Sequence, residues 1–384
     1  MFYRRVGDIP RKRHTAHRDV DGVRLIEELV GQEGFSDASS LLYHRRSPSA
    51  LIGVEAVDEN RPPLVPLHPV APLHLRTAEL VAGDDPVLDR RVLVGNDDVR
   101  VCMVTAQGSS GLYRSAVGDE LSFVQHGTGV LESSFGALDI GPGDYVVVPA
   151  GVTQRWLAKE GGLALLVIEA SGHVRTPRRY LSVDGQFLEH APYCERDLRA
   201  PDGPLVVDHD GPAEVLVRTA AGLSRHIYAH HPFDVVGWDG CLYPWAFSIH
   251  DFEPLVGSLH QPPPVHQTFE GRGFVVCSFV PRPFDFHPDA VKIPYHHANV
   301  DSDEVLFYSA GDFMSRAGAG VGVGSLTMHP AGFVHGPQPG SYERSTHATH
   351  TDELAVMLDT FRPLLVTDHA LPISDQDYPR SWLT

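Results

Sequence analysis

A segment in the C-terminal half of the chain contains two adjacent histidines and a glutamate, which are residue types that bind metals. They lie in the segment HHANVDSDEVLFYSAG, which begins at His296. On a strand, side chains two residues apart share a face, so His297 and Asn299 point one way and His296 points the other. Glu304 opens the next strand, and His335 follows a Pro-Ala-Gly turn on a later one. Three ligands on neighbouring strands can then converge. The plain alternative is a polar turn that leads into an ordinary strand.

The ligand set restricts the metal without identifying it. Two imidazoles and one carboxylate, with other coordination positions open, favour non-haem Fe(II) in an oxygenase. Zinc also accepts two histidines and one glutamate in hydrolases, so both metals stay open at this point. Because the chain contains 23 histidines, any single histidine is weak evidence for a ligand, and the spacing has to carry the prediction.

An internal repeat places these residues in one of two duplicated units. Residues 143–155 (GDYVVVPAGVTQR) match residues 324–336 (GSLTMHPAGFVHG). Ahead of them, residues 119–127 (DELSFVQHG) match residues 303–311 (DEVLFYSAG). Two motifs that recur in the same order at a nearly constant offset indicate that a whole structural unit has been duplicated.

The two copies differ at the positions of the candidate ligands. The C-terminal copy has two histidines and a glutamate, whereas the N-terminal copy has Tyr113, Glu120 and Gln154 at the matching positions. A structural need for histidine would predict histidines in both copies. Their presence in one copy alone is what a single metal site would produce.

The elements that must position these residues are predicted to be strands. Short segments rich in Val, Phe, Tyr and Leu recur between clusters of Gly, Pro and Asp. The 31 prolines and 36 glycines fit a chain that turns often, as barrels and sandwiches do. Helical periodicity is scarce, and residues 21–31 (DGVRLIEELVG) are the best candidate for a helix. Residues 261–267 (QPPPVHQ) are predicted to be a loop over the end of a barrel.

Composition and charge exclude several functional classes. Of the 384 residues, 42% are hydrophobic and 21% are charged, as in globular enzymes. The net charge of −18 argues against a nucleic-acid partner. There is no apolar run of membrane-spanning length and no signal peptide, so a cytoplasmic protein without a membrane partner is expected. The four cysteines form no CxxC pair, so no disulfide framework is predicted.

Together these motifs resemble the paired motifs of cupin barrels, and in detail the homogentisate 1,2-dioxygenase family. The variant with Asn299 in place of the usual second histidine, PYHHAN at 294–299 and HGP at 335–337 carry the closer resemblance. LLYHRRSPS at 41–49, HPFDVVGWDG at 231–240 and DTFRPLLVTD at 359–368 support it. The implied fold is an all-β bicupin of two jelly-roll (double-stranded β-helix) barrels. An N-terminal arm and degenerate cupin would span 1–205, and a metal-binding cupin 206–384.

The resemblance also implies a reaction. Such enzymes use Fe(II) and O2 to open the ring of a 2,5-dihydroxyphenyl acid, converting homogentisate to maleylacetoacetate. By matching position, the iron ligands would be His297, Glu304 and His335. His260, with His266 as its rival, would orient or deprotonate a substrate hydroxyl. A homotrimer or homohexamer is expected by the same resemblance.

The predicted substrate contacts include one departure from the family pattern. They are His335, Asn299, Tyr295 and Phe313, and Phe313 stands where the family commonly has Tyr. Ala310 stands where the family commonly has Arg, so a cation and a hydroxyl near the pocket are lost. These departures leave the side chain of the substrate open, and the resemblance makes homogentisate the leading candidate among hydroquinone-type acids. Two other classes stay open: another metal-dependent bicupin enzyme (isomerase, lyase or hydrolase) and a non-catalytic small-molecule-binding bicupin.

Overall fold

The structure is a computed structural model, and it describes residues 2–59, 61–316 and 319–383. Nearly all of its regular structure is strand, with a single short α-helix in the described part of the chain, α1 (Ser341–Ser345). Short 3₁₀ turns account for the other helical residues: Glu33–Phe35, Thr77–Glu79, Arg178–Tyr180, Glu195–Asp197, Ile249–Asp251, Pro263–His266, Met314–Arg316, Leu371–Ile373 and Tyr378–Arg380. In the described ranges, no helix is long and apolar enough to cross a membrane.

The strands of the first half lie partly in residues 92–104, 143–151 and 162–170, which are segments of the Val-, Tyr- and Leu-rich kind for which strands are predicted. In chain order they are β1 (Arg4–Gly7), β2 (Ile26–Gly31), β3 (Ser39–His44), β4 (Leu51–Val57), β5 (Leu73–Arg76), β6 (Arg91–Gly95), β7 (Val99–Ala106), β8 (Tyr113–Ser115), β9 (Glu120–His126), β10 (Gly129–Ser133), β11 (Gly136–Ile140), β12 (Asp144–Val148), β13 (Gln154–Ala158) and β14 (Leu163–Ala170).

The strands of the second half lie partly in residues 273–281 and 303–313, which are segments of the same Val- and Phe-rich kind. They are β15 (Leu198–Arg199), β16 (Ala213–Thr219), β17 (Gly222–Tyr228), β18 (Val235–Gly240), β19 (Trp245–Ser248), β20 (Gln267–Gly271), β21 (Phe274–Phe279), β22 (Arg282–Pro283), β23 (Asp303–Ala310), β24 (Ser325–His329), β25 (His350–Thr351), β26 (Leu354–Thr360) and β27 (Leu365–Val366).

These strands build two jelly-roll barrels, which confirms the predicted all-β bicupin class. The N-terminal barrel consists of a seven-stranded sheet (β11-β10-β13-β8-β16-β17-β4) and an eight-stranded sheet (β15-β19-β12-β9-β14-β7-β6-β27). The C-terminal barrel is built on a six-stranded sheet (β20-β21-β26-β23-β24-β5) and a two-stranded one (β22-β25). A four-stranded sheet (β1-β18-β3-β2) contains the N-terminal arm.

The repeated motifs occupy the same places in both barrels. Glu120 lies opposite Val148 in the β9–β12 pair, and Glu304 lies opposite His329 in the β23–β24 pair. The glycine that ends each first motif has a structural reason. Gly311 has φ +89°, and a Cβ there would lie 1.8 Å from the carbonyl oxygen of Asp352. Only glycine fits such a left-handed, close-packed position.

Hydrogen bonding crosses the predicted division at residues 205 and 206. Strands β16 and β17 join the seven-stranded sheet of the N-terminal barrel, and β19 joins the eight-stranded sheet. In the other direction, β5 forms the edge of the six-stranded sheet of the C-terminal barrel. The chain therefore exchanges strands between its halves, and the predicted domain boundary does not separate the hydrogen-bonded sheets.

The helix predicted for residues 21–31 is wrong, because the structure has strand β2 there. Its residues pair in antiparallel register with β3, from Ile26 opposite His44 to Gly31 opposite Ser39. The apolar spacing of this segment is too short to separate a helix from a half-exposed strand. Pairing with β3 satisfies its backbone groups and decides the outcome.

One apolar core runs through both barrels. The Phe123 ring meets the Phe307 ring edge-on, with centroids 6.5 Å apart, and the Tyr145 hydroxyl hydrogen-bonds the Ser278 hydroxyl at 2.8 Å. These contacts join the two barrels directly. Three large aromatics also lie fully inside: Trp238, Tyr243 and Trp245.

Candidate metal centre

The two candidate histidine ligands lie side by side on a short backbone bridge. The His297 amide donates to the His335 carbonyl at 2.8 Å, and the His335 amide donates back at 2.9 Å. In each ring, Nδ1 lies 3.1 Å from a carbonyl oxygen two residues earlier, that of Tyr295 or Phe333. These bonds fix the tautomer with the proton on Nδ1, so the electron pair of each Nε2 atom is free to bind a ligand.

Glu304 completes the group from the start of β23. One carboxylate oxygen lies 3.3 Å from His335 Nε2, and the other lies 3.7 Å from His297 Nε2. The ligand atoms of all three residues lie within 4.8 Å of one another. Burial favours the protonated acid, but the neighbouring imidazoles outweigh it and hold the pKa of Glu304 well below its ordinary value. The carboxylate is therefore an anion, as a metal ligand must be.

The geometry of His335 fits a bound cation. Its side chain is almost completely buried, and its Nε2 is a buried polar atom without a hydrogen-bond partner in the described part of the protein. An unpaired buried acceptor costs free energy unless a ligand occupies it. With an anionic carboxylate 3.3 Å away, the expected ligand is a metal ion.

A third histidine, which the sequence analysis did not select, lies behind the carboxylate. His329 Nδ1 is 2.8 Å from Glu304 Oε1, and His329 Nε2 is 2.9 Å from the Tyr378 hydroxyl. Burial lowers the pKa of His329 to about 4 despite the nearby carboxylate, so the ring is neutral. It therefore donates from Nδ1 to Glu304 and accepts from Tyr378. The repeat contained a signal for His329, because this position is a histidine in the C-terminal copy and Val148 in the N-terminal copy, as for the two histidine ligands.

Asp359 is a second group that sequence reasoning missed. It lies opposite Glu304 in the β23–β26 pair, and its Oδ1 accepts a hydrogen bond from Asn299 Nδ2 at 3.2 Å. Burial and the Glu304 charge raise the pKa of Asp359 to about 7. Asn299, which lies on the same face of the chain as His297, thus donates its side-chain amide to the buried carboxyl group of Asp359.

A cavity of about 290 Å³ opens onto His297 and Glu304, whereas His335, also predicted to contact substrate, is not among its lining residues. Its volume suits a small aromatic molecule and its walls combine apolar and polar groups, as ligand pockets do. The sequence-predicted residues that line it are His260, His266, Tyr295, His297, Asn299 and Glu304. His296 is exposed and is not among the lining residues, in line with its predicted outward direction.

The structure separates the two histidines proposed for proton transfer. His260 is partly exposed to the cavity; its Nδ1 lies 3.5 Å from Asp285 Oδ2, and its ring meets Tyr295 edge-on at 5.1 Å. His266 is buried against the Phe279 ring at 4.6 Å. Burial lowers the pKa of His266 to about 3, so it is a weak proton acceptor near pH 7. The surroundings of His260 suit that role better.

The structure does not bring Phe313 to the cavity wall. The ring is buried and packs against Tyr308 at 4.8 Å in a small apolar cluster with Leu306 and Ala355. Ala310 is exposed at the end of β23. Neither position adds a polar group to the described lining of the cavity, so any recognition of a substrate side chain has to come from elsewhere.

The matching site of the N-terminal barrel is filled by protein groups. Glu120 accepts a hydrogen bond from the Tyr113 hydroxyl at 2.7 Å and lies 3.1 Å from the buried Arg90 guanidinium. Gln154 Nε2 is 3.4 Å from the same carboxylate. The Arg90 side chain also reaches Glu169 at 3.3 Å. A guanidinium thus supplies the positive charge that a metal would supply.

Comparisons with known proteins show the family of this chain. A family model for the N-terminal region of homogentisate 1,2-dioxygenase matches residues 98–249. A Saccharolobus solfataricus protein named as a "putative dioxygenase" is 39% identical over 393 residues and is matched over 100% of both chains. Homogentisate 1,2-dioxygenase of Bradyrhizobium diazoefficiens is 26% identical over 298 residues, which are 73% of this chain and 65% of that enzyme. The match therefore spans less than two thirds of that enzyme.

Among solved structures, a cupin barrel protein from Leptotrichia buccalis covers 78% of this chain and 100% of its own, with 10% identity and a TM-score of 0.35. That likeness is too weak to bear on function. The sequence relatives are stronger, since one of them matches along its whole length at 39% identity. The chain belongs to the homogentisate 1,2-dioxygenase family.

Proposed function

We propose that this protein is an Fe(II)-dependent dioxygenase that opens the ring of a hydroquinone-type aromatic acid, with homogentisate as the leading candidate substrate. The observation that carries the proposal is the buried, unpartnered Nε2 of His335 beside the anionic Glu304 carboxylate, with His297 on the same side. Two imidazoles and one carboxylate with open positions are the ligand set of non-haem Fe(II) oxygenases. The dioxygenase names of the relatives support the same reaction class.

The residues of the chain would divide the work as follows. His297, Glu304 and His335 would hold the ion, which when bound supplies adjacent positions for O2 and a substrate hydroxyl. The cavity of about 290 Å³ would enclose the ring and exclude bulk water. Tyr295 and Asn299 line this cavity and would contact the ring or its hydroxyl groups. Holding the ring and O2 together removes much of the entropic barrier to their meeting.

His260 would accept the proton of the second hydroxyl group. Asp285, 3.5 Å from His260 Nδ1, would orient the imidazole and stabilise its protonated form. A neutral histidine near pH 7 has the right basicity for this transfer. The low pKa of His266 disfavours it as the base.

The test is oxygen consumption by protein loaded with Fe(II) under anaerobic conditions. A panel of hydroquinones with and without carboxylate side chains would be offered, with Zn(II)-loaded protein as the matched control. We expect uptake of O2 with the Fe(II) form, a ring-opened product by mass spectrometry, and no uptake with the Zn(II) form.

Other outcomes would support the rival classes. Turnover without O2 would favour a metal-dependent isomerase, lyase or hydrolase on the same barrel. Tight ligand binding that is unchanged by removal of the metal would favour a non-catalytic binding protein. The assembly proposed for the protein, a homotrimer or homohexamer, would be measured separately by sedimentation.

A further inference from the structure

Three cationic side chains line the cavity, and they differ in how their donors are used. The Lys292 ammonium is bound to the carbonyl oxygen of Asp285. The Arg316 guanidinium is buried and donates to the Tyr308 hydroxyl at 3.1 Å and to the Gly336 carbonyl at 2.6 Å. Arg316 is therefore committed to internal contacts of the barrel, whereas Lys292 is tethered to the backbone by one hydrogen bond.

Arg282 also lines the cavity, and a single hydrogen bond occupies one of the five N–H donors of its guanidinium. Its Nη1 donates to the Val280 carbonyl at 3.0 Å, and its guanidinium lies 5.9 Å from the centre of the Phe279 ring. In the described ranges of the chain, it has no carboxylate within ion-pair distance and no other hydrogen bond. A guanidinium has five N–H donors in a fork that matches a carboxylate, so Arg282 retains free donors.

Partial burial favours the binding of an anion by the Arg282 guanidinium. Arg282 is half-buried on β22, in the wall of the cavity that also contains His297 and Glu304. Desolvation lowers the pKa of Arg282, against the opposing effect of the Glu353 and Asp285 carboxylates. A cation that has lost water without gaining an ion pair is stabilised by an anionic ligand.

We propose that Arg282 is the specificity-determining residue that binds the carboxylate of the substrate's side chain. This inference rests on the proposed function and deepens it. Ala310 provides no cation and Phe313 packs away from the cavity, so Arg282 supplies the positive charge that these two positions lack. The substrate is then a dihydroxyaromatic with a short acidic side chain, long enough to reach from the metal ligands to β22.

Glu353 is the carboxyl group that competes for the same cation. It lines the cavity, and burial raises its pKa, although the charges of Arg282 and Arg316 oppose that shift. Removing the Glu353 charge frees the guanidinium further. Glu353→Gln is therefore expected to strengthen the binding of an acidic ligand and to leave that of a neutral ligand unchanged.

The binding experiment needs no catalysis. Calorimetry under anaerobic conditions compares 4-hydroxyphenylacetate, which carries the acid, with 4-methylphenol, which does not. Arg282→Met should weaken the binding of the acid about tenfold to a hundredfold, as expected for the loss of charge-assisted hydrogen bonds. The neutral phenol should change less than about threefold. Lys292→Met, which removes the same charge from the same cavity, should leave both affinities nearly unchanged.

The kinetic experiment uses the Fe(II)-loaded protein with homogentisate and methylhydroquinone. Arg282→Met should raise KM for homogentisate alone, and Arg282→Lys should restore part of the preference. The proposal is overturned if the acid and the neutral compound weaken by the same factor, or if Lys292→Met matches Arg282→Met. Binding that depends on Arg282 in a protein that never consumes O2 would refute the proposed function alone.

Discussion

Glu304 and Glu120 lie at the start of corresponding strands of the two barrels, and the side chains that surround their carboxylates differ. Glu304 faces the imidazoles of His297, His329 and His335, whereas Glu120 lies 3.1 Å from the guanidinium of Arg90. The two barrels thus surround corresponding buried carboxylates with different groups. One barrel keeps electron pairs free for a metal ion, and the other fills the place with a permanent cation.

Glu304→Ala is predicted to abolish metal retention and turnover. Removal of the only carboxylate among three ligands leaves two neutral imidazoles, which bind Fe(II) too weakly to survive desalting. Metal content by mass spectrometry and O2 uptake would measure the change. His296→Ala is the matched control, since His296 is exposed and not a lining residue of the cavity. Full iron content and activity in Glu304→Ala would refute its role as a ligand.

His329→Leu is predicted to weaken metal binding about tenfold to a hundredfold, as is usual when a group that orients a ligand is lost. The 2.8 Å hydrogen bond from His329 holds the Glu304 carboxylate toward the other imidazoles. Competition with a fluorescent chelator would measure the affinity. His329→Gln, which can still donate a hydrogen bond, should recover part of it, and equal affinities for all three proteins would contradict the prediction.

Arg90→Met is predicted to destabilise the fold by roughly 3–5 kcal/mol, because it removes the ion-pair partner of the buried Glu120, whereas Glu169 keeps its ion pair with Arg61. Urea unfolding would measure the free energy of unfolding. The control is Arg225→Met, whose ion pair with Glu55 spans 3.0 Å at the surface and should contribute at most about 1 kcal/mol. Similar losses in the free energy of unfolding for the two variants would show that the buried ion pairs of Arg90 do not stabilise the N-terminal barrel.

Alkaline pH is predicted to weaken the fold through His44. Burial lowers the pKa of His44, but hydrogen bonds to Asp234 at 2.6 Å and Glu28 at 2.9 Å outweigh it and raise the pKa to about 9. Because the folded protein binds this proton more tightly than the unfolded chain, the stabilisation is full below the ordinary pKa of 6.5 and is lost as pH rises through about 9.

The expected loss between these two pH values is on the order of 3 kcal/mol. Urea unfolding at several pH values, compared between the native protein and His44→Gln, would isolate it from other titrating groups. The variant should show a flatter dependence of the free energy of unfolding on pH. Parallel curves for the two proteins would mean that His44 is not charged in the folded state.

The internal repeat made much of the architecture predictable. Strand-forming segments bounded by glycine and proline predicted an all-β fold, and motifs repeated in order predicted a duplicated unit. The assignment of the two units as cupin barrels came from the family resemblance. Substitution of the histidines by Tyr113 and Gln154 in one copy also singled out His297, Glu304 and His335. The structure places these three within 4.8 Å of one another. Their role as ligands stays a prediction until metal is measured.

Other features could not be read from the chain because they depend on distant partners. Strand β2 looked helical, since short apolar spacing is ambiguous until a partner strand such as β3 satisfies its backbone. The exchange of β5 and β16 between the barrels has no local signal, because any edge strand of suitable length can complete a sheet.

What the sequence alone determined was the type and order of chemically active residues, because residue types and spacing are local properties. Only the tertiary structure decided their surroundings. It buried His329 behind Glu304, packed Phe313 against Tyr308 and left Arg282 without a carboxylate partner in the described residues. Burial and pairing arise from contacts between segments far apart in the chain, and these contacts set charge states and free donors.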